Sequence, residues 1–316
     1  MLLKLIPAET TIGFMRWRKI GFAFSALLIL GSIALVAGRG LNLGIDFLGG
    51  TLIEVQTDGP ADLSGMRADL NGLGLGEVAL QEFGAPDTVL IRIQRQPGEE
   101  EAQRAALEVA KAAIDERVVE YRRQEFVGPT IGSELQEAAI YAVLSALAAI
   151  MIYIWFRFEW QFGLGAIVAL THDVIATMGL FALLQLEFNL STVAAVLTIA
   201  GYSINDTVVV FDRVRENIRK YKRMPLAELF DGALNQTLSR TVMTSLTTLI
   251  ALFALVFFGG EVIRGFSIAL IWGIVIGTYS SVLVAVPLLL YLRPRRGDEE
   301  IAPGEGSGSG PQAAKG

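Results

Sequence analysis

Gly201-Tyr202-Ser203-Ile204-Asn205-Asp206-Thr207, continuing directly into Val208-Val209-Val210-Phe211, is the stretch that decides the fold class of this chain. It lies inside an apolar run, 190–211, whose 22 residues approach the ~20 that cross a hydrocarbon core about 30 Å thick. Asp206 is the seventeenth of them and therefore sits at membrane depth. A carboxylate at the centre of a spanning helix costs about 2.5–3.5 kcal/mol on insertion scales, somewhat less nearer one end, so some partner must offset it. In a helix Thr198, Tyr202 and Asp206 fall at i, i+4 and i+8 with Asn205 beside them, a polar stripe expected to face protein or trapped water rather than lipid. The plainest role for such a stripe is an interhelical hydrogen bond, but an ionisable residue inside a span is by default a functional candidate.

The remaining composition agrees with a polytopic α-helical membrane protein. With 53% hydrophobic residues and a mean hydropathy of +0.51, the 316-residue chain is more apolar than a single soluble core requires. Six runs are long enough to span: 20–37, 138–155, 162–184, 190–211, 241–258 and 266–292. The first follows Lys4, Arg16, Arg18 and Lys19, as the apolar core of a signal peptide does. Its eighteen residues exceed the usual ~7–15, however, and no clear Ala-x-Ala site follows, so it reads as an uncleaved span. The absence of cysteine and the single histidine, His172, exclude disulfides, thiolate metal sites and multi-histidine centres. No cofactor or metal is expected.

Lys and Arg gather before the first span, between the fourth and fifth (Arg213, Arg215, Arg219, Lys220, Lys222, Arg223, Arg240) and after the sixth (Arg293, Arg295, Arg296). The positive-inside rule then places the N-terminus 1–19, Arg157, the loop 212–240 and the C-terminal segment 293–316 in the cytoplasm. The large segment 38–137 falls outside. From 40 to 137 it holds 8 Lys+Arg and 18 Asp+Glu, a net −10 that also argues against a nucleic-acid surface. Its pattern is a strand at 51–56, a helix at 61–73, strands at 77–83 and 88–93, a long charged helix at 99–122 and a short strand from 125 to 127. This β-α-β-β-α-β order is that of a ferredoxin-like α+β domain, an arrangement that by itself specifies no activity. Gly49 and Gly50, just before the first strand, suit a tight turn at the membrane exit. The Gly/Ser-rich end of 293–316 reads as a disordered tail.

Two further polar groups enter the bilayer. Thr171-His172-Asp173 falls midway along 162–184, with Asp173 about 16 Å into the span at 1.5 Å per residue. Arg240 opens the fifth span, with Thr244 at i+4 and Thr247 and Thr248 beyond it. The fourth span descends to the side from which the fifth rises, so Asp206 is expected to meet Arg240 or a water held by Thr244. Protonating Asp206 would then release Arg240, the minimum equipment of a proton-driven switch. His172 and Asp173 are accessory candidates whose plainer role is hydrogen bonding to neighbouring helices. Asp212 and Arg213, at the membrane edge, more simply mark a helix end. Gly265, Ala269, Gly273, Gly277 and Ser281 step by four along the sixth span and allow close approach of a helix, in this chain or in a partner. Pro287 is expected to kink that span.

Five motifs occur in order: Gly44-Ile45-Asp46-Phe47-Leu48-Gly49-Gly50-Thr51, Val127-Gly128-Pro129-Thr130-Ile131-Gly132, Gly201 through Arg213, Ser239-Arg240-Thr241-Val242-Met243-Thr244-Ser245-Leu246, and Phe258-Gly259-Gly260-Glu261-Val262-Ile263-Arg264-Gly265-Phe266. Together they resemble the SecF group of the SecD/SecF family, non-enzymatic membrane subunits of bacterial protein export related to the resistance-nodulation-division transporters. The resemblance implies a subunit of the inner membrane working with SecD beside the SecYEG channel and its associated subunits. Proton flow would there move the periplasmic domains that draw an unfolded preprotein outward. It also implies that Asp206 and Arg240 are the charged pair of the fourth and fifth spans and Thr244 their polar neighbour. Asp46, Phe47, Gly49, Gly50 and Thr51 form the motif at the membrane exit, and Leu48 departs from the polar residue common there. The family's other key carboxylate belongs to SecD, so this chain is expected to hold an incomplete proton path. A stand-alone proton-coupled exporter would ordinarily need a second six-span half. An intramembrane aspartyl protease would need Asp173 and Asp206 within hydrogen-bond reach of one another, and Arg240 nearby would disfavour their sharing a proton.

Overall fold

The structure, a computed structural model, describes residues 10–76, 78–98, 100–260 and 263–294; the expected tail from 295 onward lies outside them. In chain order the elements are α1 (Arg18–Arg39), β1 (Asn42–Leu43), α2 (Ile45–Leu48), β2 (Gly50–Thr57), α3 (Leu63–Asn71), β3 (Val78–Phe83), β4 (Ala85–Ile93), α4 (Glu100–Ile114) and β5 (Val118–Val127). They continue with α5 (Pro129–Arg157), α6 (Trp160–Leu184), β6 (Glu187–Phe188), α7 (Leu190–Lys220), α8 (Leu226–Phe258), α9 (Arg264–Ser280), a π turn at Ser281–Ala285 and α10 (Val286–Leu292). Six candidate membrane spans result: α1, α5, α6, α7, α8, and α9 through α10 as one unit. The second helix begins at Pro129, so residues 129–137, expected in the external domain, are its first turns.

The inner spans are α6, α7 and the α9–α10 unit, whose most apolar windows are 50%, 50% and 61% buried, against 17% or less for α1, α5 and α8. The small-residue stripe packs within the chain. A Cβ on Gly273 would lie 2.3 Å from Ile199 Cγ1, and one on Gly277 3.1 Å from Ser203 Cβ, so α9 and α7 approach as closely as glycine allows. Gly179 of α6 meets Ser32 of α1 in the same way. Near Pro287 the helix widens into the π turn. Proline has no N–H to give the carbonyl four residues back, and the π turn is a common accommodation of such an interruption.

Residues 212–240, expected as a loop, are helical apart from 221–225: α7 runs on to Lys220 and α8 starts at Leu226. Phe211, Val214 and Ile218 on one helix and Leu229, Phe230, Ala233 and Leu234 on the other recur at helical spacing. They bury one another together with Met15, Phe158 and Phe162, which extends the bundle past the apolar runs.

Between α1 and α5 the α+β domain has a four-stranded antiparallel sheet in the order β3-β4-β2-β5, as the ferredoxin-like arrangement requires. Ile53, Val55, Val89 and Ile91 on its inner face pack on Met66, Leu70, Ala110 and Ile114 of α3 and α4. The charged helix expected over 99–122 ends at Ile114, and the last strand is ten residues long rather than three. Val118 and Tyr121 favour extended backbone, and the ladder with β2 pairs them with Thr57 and Val55, with Val119 at a bulge between, whereas Ile114, fully buried against the sheet, ends the helix. Glu120, Arg122, Arg123 and Glu125 line this edge strand and discourage edge-to-edge pairing.

Candidate intramembrane site

The site starts at the first turn of α7. Asn189 caps it, accepting from the Thr192 N–H at 3.1 Å, and the Thr192 hydroxyl answers the Asn189 N–H. The Leu190 N–H donates to Asp46 Oδ2 at 2.9 Å, which ties the membrane-exit motif to the end of the fourth span. Phe47 stacks against Phe188 at 6.0 Å between ring centroids. Gly49 closes α2 at φ +69°, and Gly50 follows at φ +122°, where a Cβ would lie 2.5 Å from the Ile93 carbonyl oxygen, so only glycine fits. Thr51 is buried in β2. Beside this joint β1 pairs in parallel with β6, and Arg92 of β4 donates to the Leu43 carbonyl at 2.9 Å and to Asn42 Oδ1 at 2.7 Å. Burial pushes the Glu187 carboxyl above the ordinary glutamate range, with Arg92 and Arg123 opposing the shift.

Deeper along α7, Ser203, Asp206, Thr207 and Val210 form the buried line, whereas Thr198 and Asn205 are exposed on the outer surface. The polar stripe therefore runs one position away from the one that i+4 counting from Thr198 suggests. Asp206, 8% exposed, accepts from the Thr241 hydroxyl of α8 on Oδ1 at 2.5 Å, and its Oδ2 is buried without a hydrogen-bond partner. Arg240 forms no ion pair with it among the described residues. It precedes Thr241 by one residue, about 100° around the helix, and its side chain is exposed on the outer face together with Thr244. The Thr244 hydroxyl bonds only the backbone carbonyls of Arg240 and Thr241. Tyr202 donates to Ser245, which meets Thr278, and Thr207 meets Ser281 at 2.9 Å, so the fourth, fifth and sixth spans share one polar seam.

Asp173 is the second buried carboxylate and the better satisfied. Its Oδ1 lies 2.9 Å from His172 Nδ1, and its Oδ2 accepts from Ser203 at 2.5 Å and Ser280 at 2.8 Å, joining three spans. His172 Nε2 is buried without a partner. Asp173 and Asp206 are not hydrogen-bonded to each other; each has its own hydroxyl donors, unlike a proton-sharing dyad. Asp212 does not mark a helix end but receives Arg157 on both oxygens, at 2.7 and 2.9 Å, and Arg213 pairs with Glu216 at 2.8 Å. Sequence reasoning missed Ser203, Thr241 and Ser280. Their only signal was a hydroxyl residue adjacent to, or within one turn of, residues already singled out.

Fold and site together define a six-span membrane protein that buries two carboxylates between its helices and roots a small α+β domain on the helix carrying one of them. Residues 107–295 match the family described as protein export membrane protein SecD/SecF, C-terminal, and residues 34–61 match the SecD/SecF GG motif. The chain is 45% identical over 302 residues to the protein translocase subunit SecF of Rickettsia felis, covering 95% of this chain and 97% of that one. To the SecF of Rhodobacter capsulatus it is 46% identical over 318 residues, covering 96% and 95%. The crystal structure of SecDF, a translocon-associated membrane protein from Thermus thermophilus, superposes with a TM-score of 0.83 at 38% identity over 92% of this chain and 40% of that one. SecDF in a Super-membrane-facing form scores 0.66 at 39% identity over 90% and 39%. The chain belongs to the SecD/SecF family of protein-export membrane proteins, a non-enzymatic family.

Proposed function

We propose that this chain works with SecD as the proton-responsive SecF half of the assembly that supports late steps of export across the bacterial inner membrane. The observation that carries the reading is Asp206 itself: one oxygen is held by Thr241, and the other is buried at membrane depth with no hydrogen bond among the described residues. A carboxylate bound on one side only can take up a proton without first breaking an existing bond. A fully satisfied one such as Asp173 is suited to holding helices together. Arg240 and Thr244 face outward one residue and one turn from Asp206's donor. In this reading SecD packs over them and contributes the other carboxylate of the path. Protonation of Asp206 shifts α7 against α8, and the Asp46 contact at the far end of α7 passes the shift to the external domain. The domain then acts on an unfolded preprotein leaving the SecYEG channel. Both termini lie in the cytoplasm, as the Lys/Arg distribution favours. The different scores of the two SecDF forms at nearly equal identity support a fold whose parts take more than one arrangement.

The test is Asp206→Asn, which keeps size and one hydrogen-bonding oxygen but cannot cycle a charge. The variant is expected to insert and bind SecD at wild-type levels while export of a secreted reporter loses its dependence on the proton-motive force. Wild-type export by the variant under a full gradient would leave only a structural role for the carboxylate.

A further inference from the structure

A hollow of about 500 Å³ opens where α5 ends and α7 leaves the apolar part of the bundle, lined by Arg157, Asp212, Arg215, Glu216, Arg219 and Lys220. Both acids are already engaged, Asp212 by Arg157 and Glu216 by Arg213. Arg215, Arg219 and Lys220 have no ion pair among the described residues. Arg215 and Arg219 stand four residues apart and so share one face of α7. Arg215 Nε is buried with no hydrogen-bond partner, and Nη1 reaches only the Arg157 carbonyl at 3.5 Å. The hollow therefore carries an excess of positive charge over its two engaged carboxylates.

The surroundings say which anion. Trp155, Phe156 and Trp160, close to Arg157 in sequence where α5 gives way to α6, are 77%, 87% and 60% exposed, aromatic side chains of the kind that lies at the boundary between acyl chains and headgroups. Ile152, also exposed, continues the apolar strip along α5 toward the bilayer centre. The cations and the apolar strip thus meet at one depth, as a phosphodiester and its acyl chains do in a phospholipid; a soluble phosphate would gain nothing from the strip. We propose that the hollow binds the phosphodiester headgroup of an anionic phospholipid, with Arg215 and Arg219 on the phosphate, Lys220 at its rim and the acyl chains along α5.

The experiment uses the purified full chain and native mass spectrometry with phosphatidylglycerol and phosphatidylcholine of identical acyl chains. Each basic side chain near an anionic lipid contributes about fivefold in affinity. Arg215→Gln/Arg219→Gln is therefore expected to lose roughly 30-fold in phosphatidylglycerol retention, while phosphatidylcholine retention stays unchanged. The control Arg16→Gln/Lys19→Gln removes the same charge elsewhere and is expected to bind as wild type. If the double variant fails to fold by thermal melting, Arg219→Gln alone, at an exposed position, carries the test with a fivefold loss. Equal retention of the two lipids by wild type, or an equal loss in the control, overturns the proposal. Displacement of the lipid by millimolar glycerophosphoglycerol would assign the hollow to a soluble phosphate and overturn it as well.

Discussion

Asp46→Ala is the most informative perturbation of the joint between the α+β domain and the membrane spans. The Leu190 N–H is one of the donors that the first turn of any helix leaves without an intrahelical partner, and Asp46 Oδ2 accepts from it at 2.9 Å. Hydrogen bonds to charged groups contribute about 1.5–3 kcal/mol, and a carboxylate at a helix N-terminus adds about 0.3–1 kcal/mol through the helix dipole. Asp46 is only half buried, so the lower end applies. The two lower ends together give a loss of about 1.8 kcal/mol, which corresponds to roughly a twentyfold rise in the open population of the joint. Asp46→Asn keeps an acceptor but not the charge, so about a threefold rise is expected. Amide hydrogen exchange at Leu190, measured by mass spectrometry on the chain in nanodiscs, reads this population directly. The neighbouring Thr192 amide, held by Asn189, serves as internal reference. Wild-type exchange at Leu190 in Asp46→Ala would refute the reasoning, and so would equal effects of Ala and Asn, because the charge would then contribute nothing.

Three further outcomes are expected. Asp173→Leu strands Ser203 and His172 and leaves Ser280 only the Gly277 carbonyl; it should destabilise the bundle by about 2 kcal/mol if each of the three lost bonds has the ~0.6 kcal/mol usual in membranes, and by up to roughly 6 if the two stranded groups keep their full 1–3 kcal/mol desolvation penalties; Asp173→Asn should cost less, and a detergent melting curve distinguishes these results. Burial raises the Glu187 carboxyl above its unfolded value, so the folded state binds the proton more tightly. Its contribution to stability is therefore full below the ordinary glutamate range and is lost as pH rises through the raised value. The protection factor of the amides at the β1–β6 pair, that is, exchange corrected for its intrinsic acceleration by base, should fall with rising pH in wild type and lose that dependence in Glu187→Gln. A reporter active only outside the cytoplasm should be on when fused after Ile93 and off after Lys220; the reverse pattern would overturn the orientation.

The spans and the order of elements in the α+β domain were legible because they are one-dimensional properties. A run of apolar residues either matches the bilayer thickness or does not, and the alternation in residues 88–93 or the helical spacing in 61–73 is local. Errors fell where local propensity competed with a long-range ladder. Residues 115–122 carry enough charge to extend a surface helix, but β2, more than fifty residues earlier, offers Val118, Glu120 and Tyr121 an edge to pair with. Residues 212–240 looked like a loop because their charges hide the apolar face that only the packed α7–α8 pair reveals.

Within the site, the sequence by itself determined that Asp206 and Asp173 lie at membrane depth and need partners, since the cost of a bare carboxylate there follows from depth alone. Which groups answer them was decided by tertiary structure. Contact between helices depends on their rotation and separation: the close approach of α9 to α7 at Gly273 and Gly277 brings Ser280 and Ser281 inward. A rotation of one residue on α8 gives Asp206 the hydroxyl of Thr241 and turns Arg240 outward. The Asp46 contact with Leu190 spans 144 residues of sequence, a distance over which no periodicity carries information. Only the packing of α2 onto the start of the fourth span brings that carboxylate to the helix end whose free N–H attracts it.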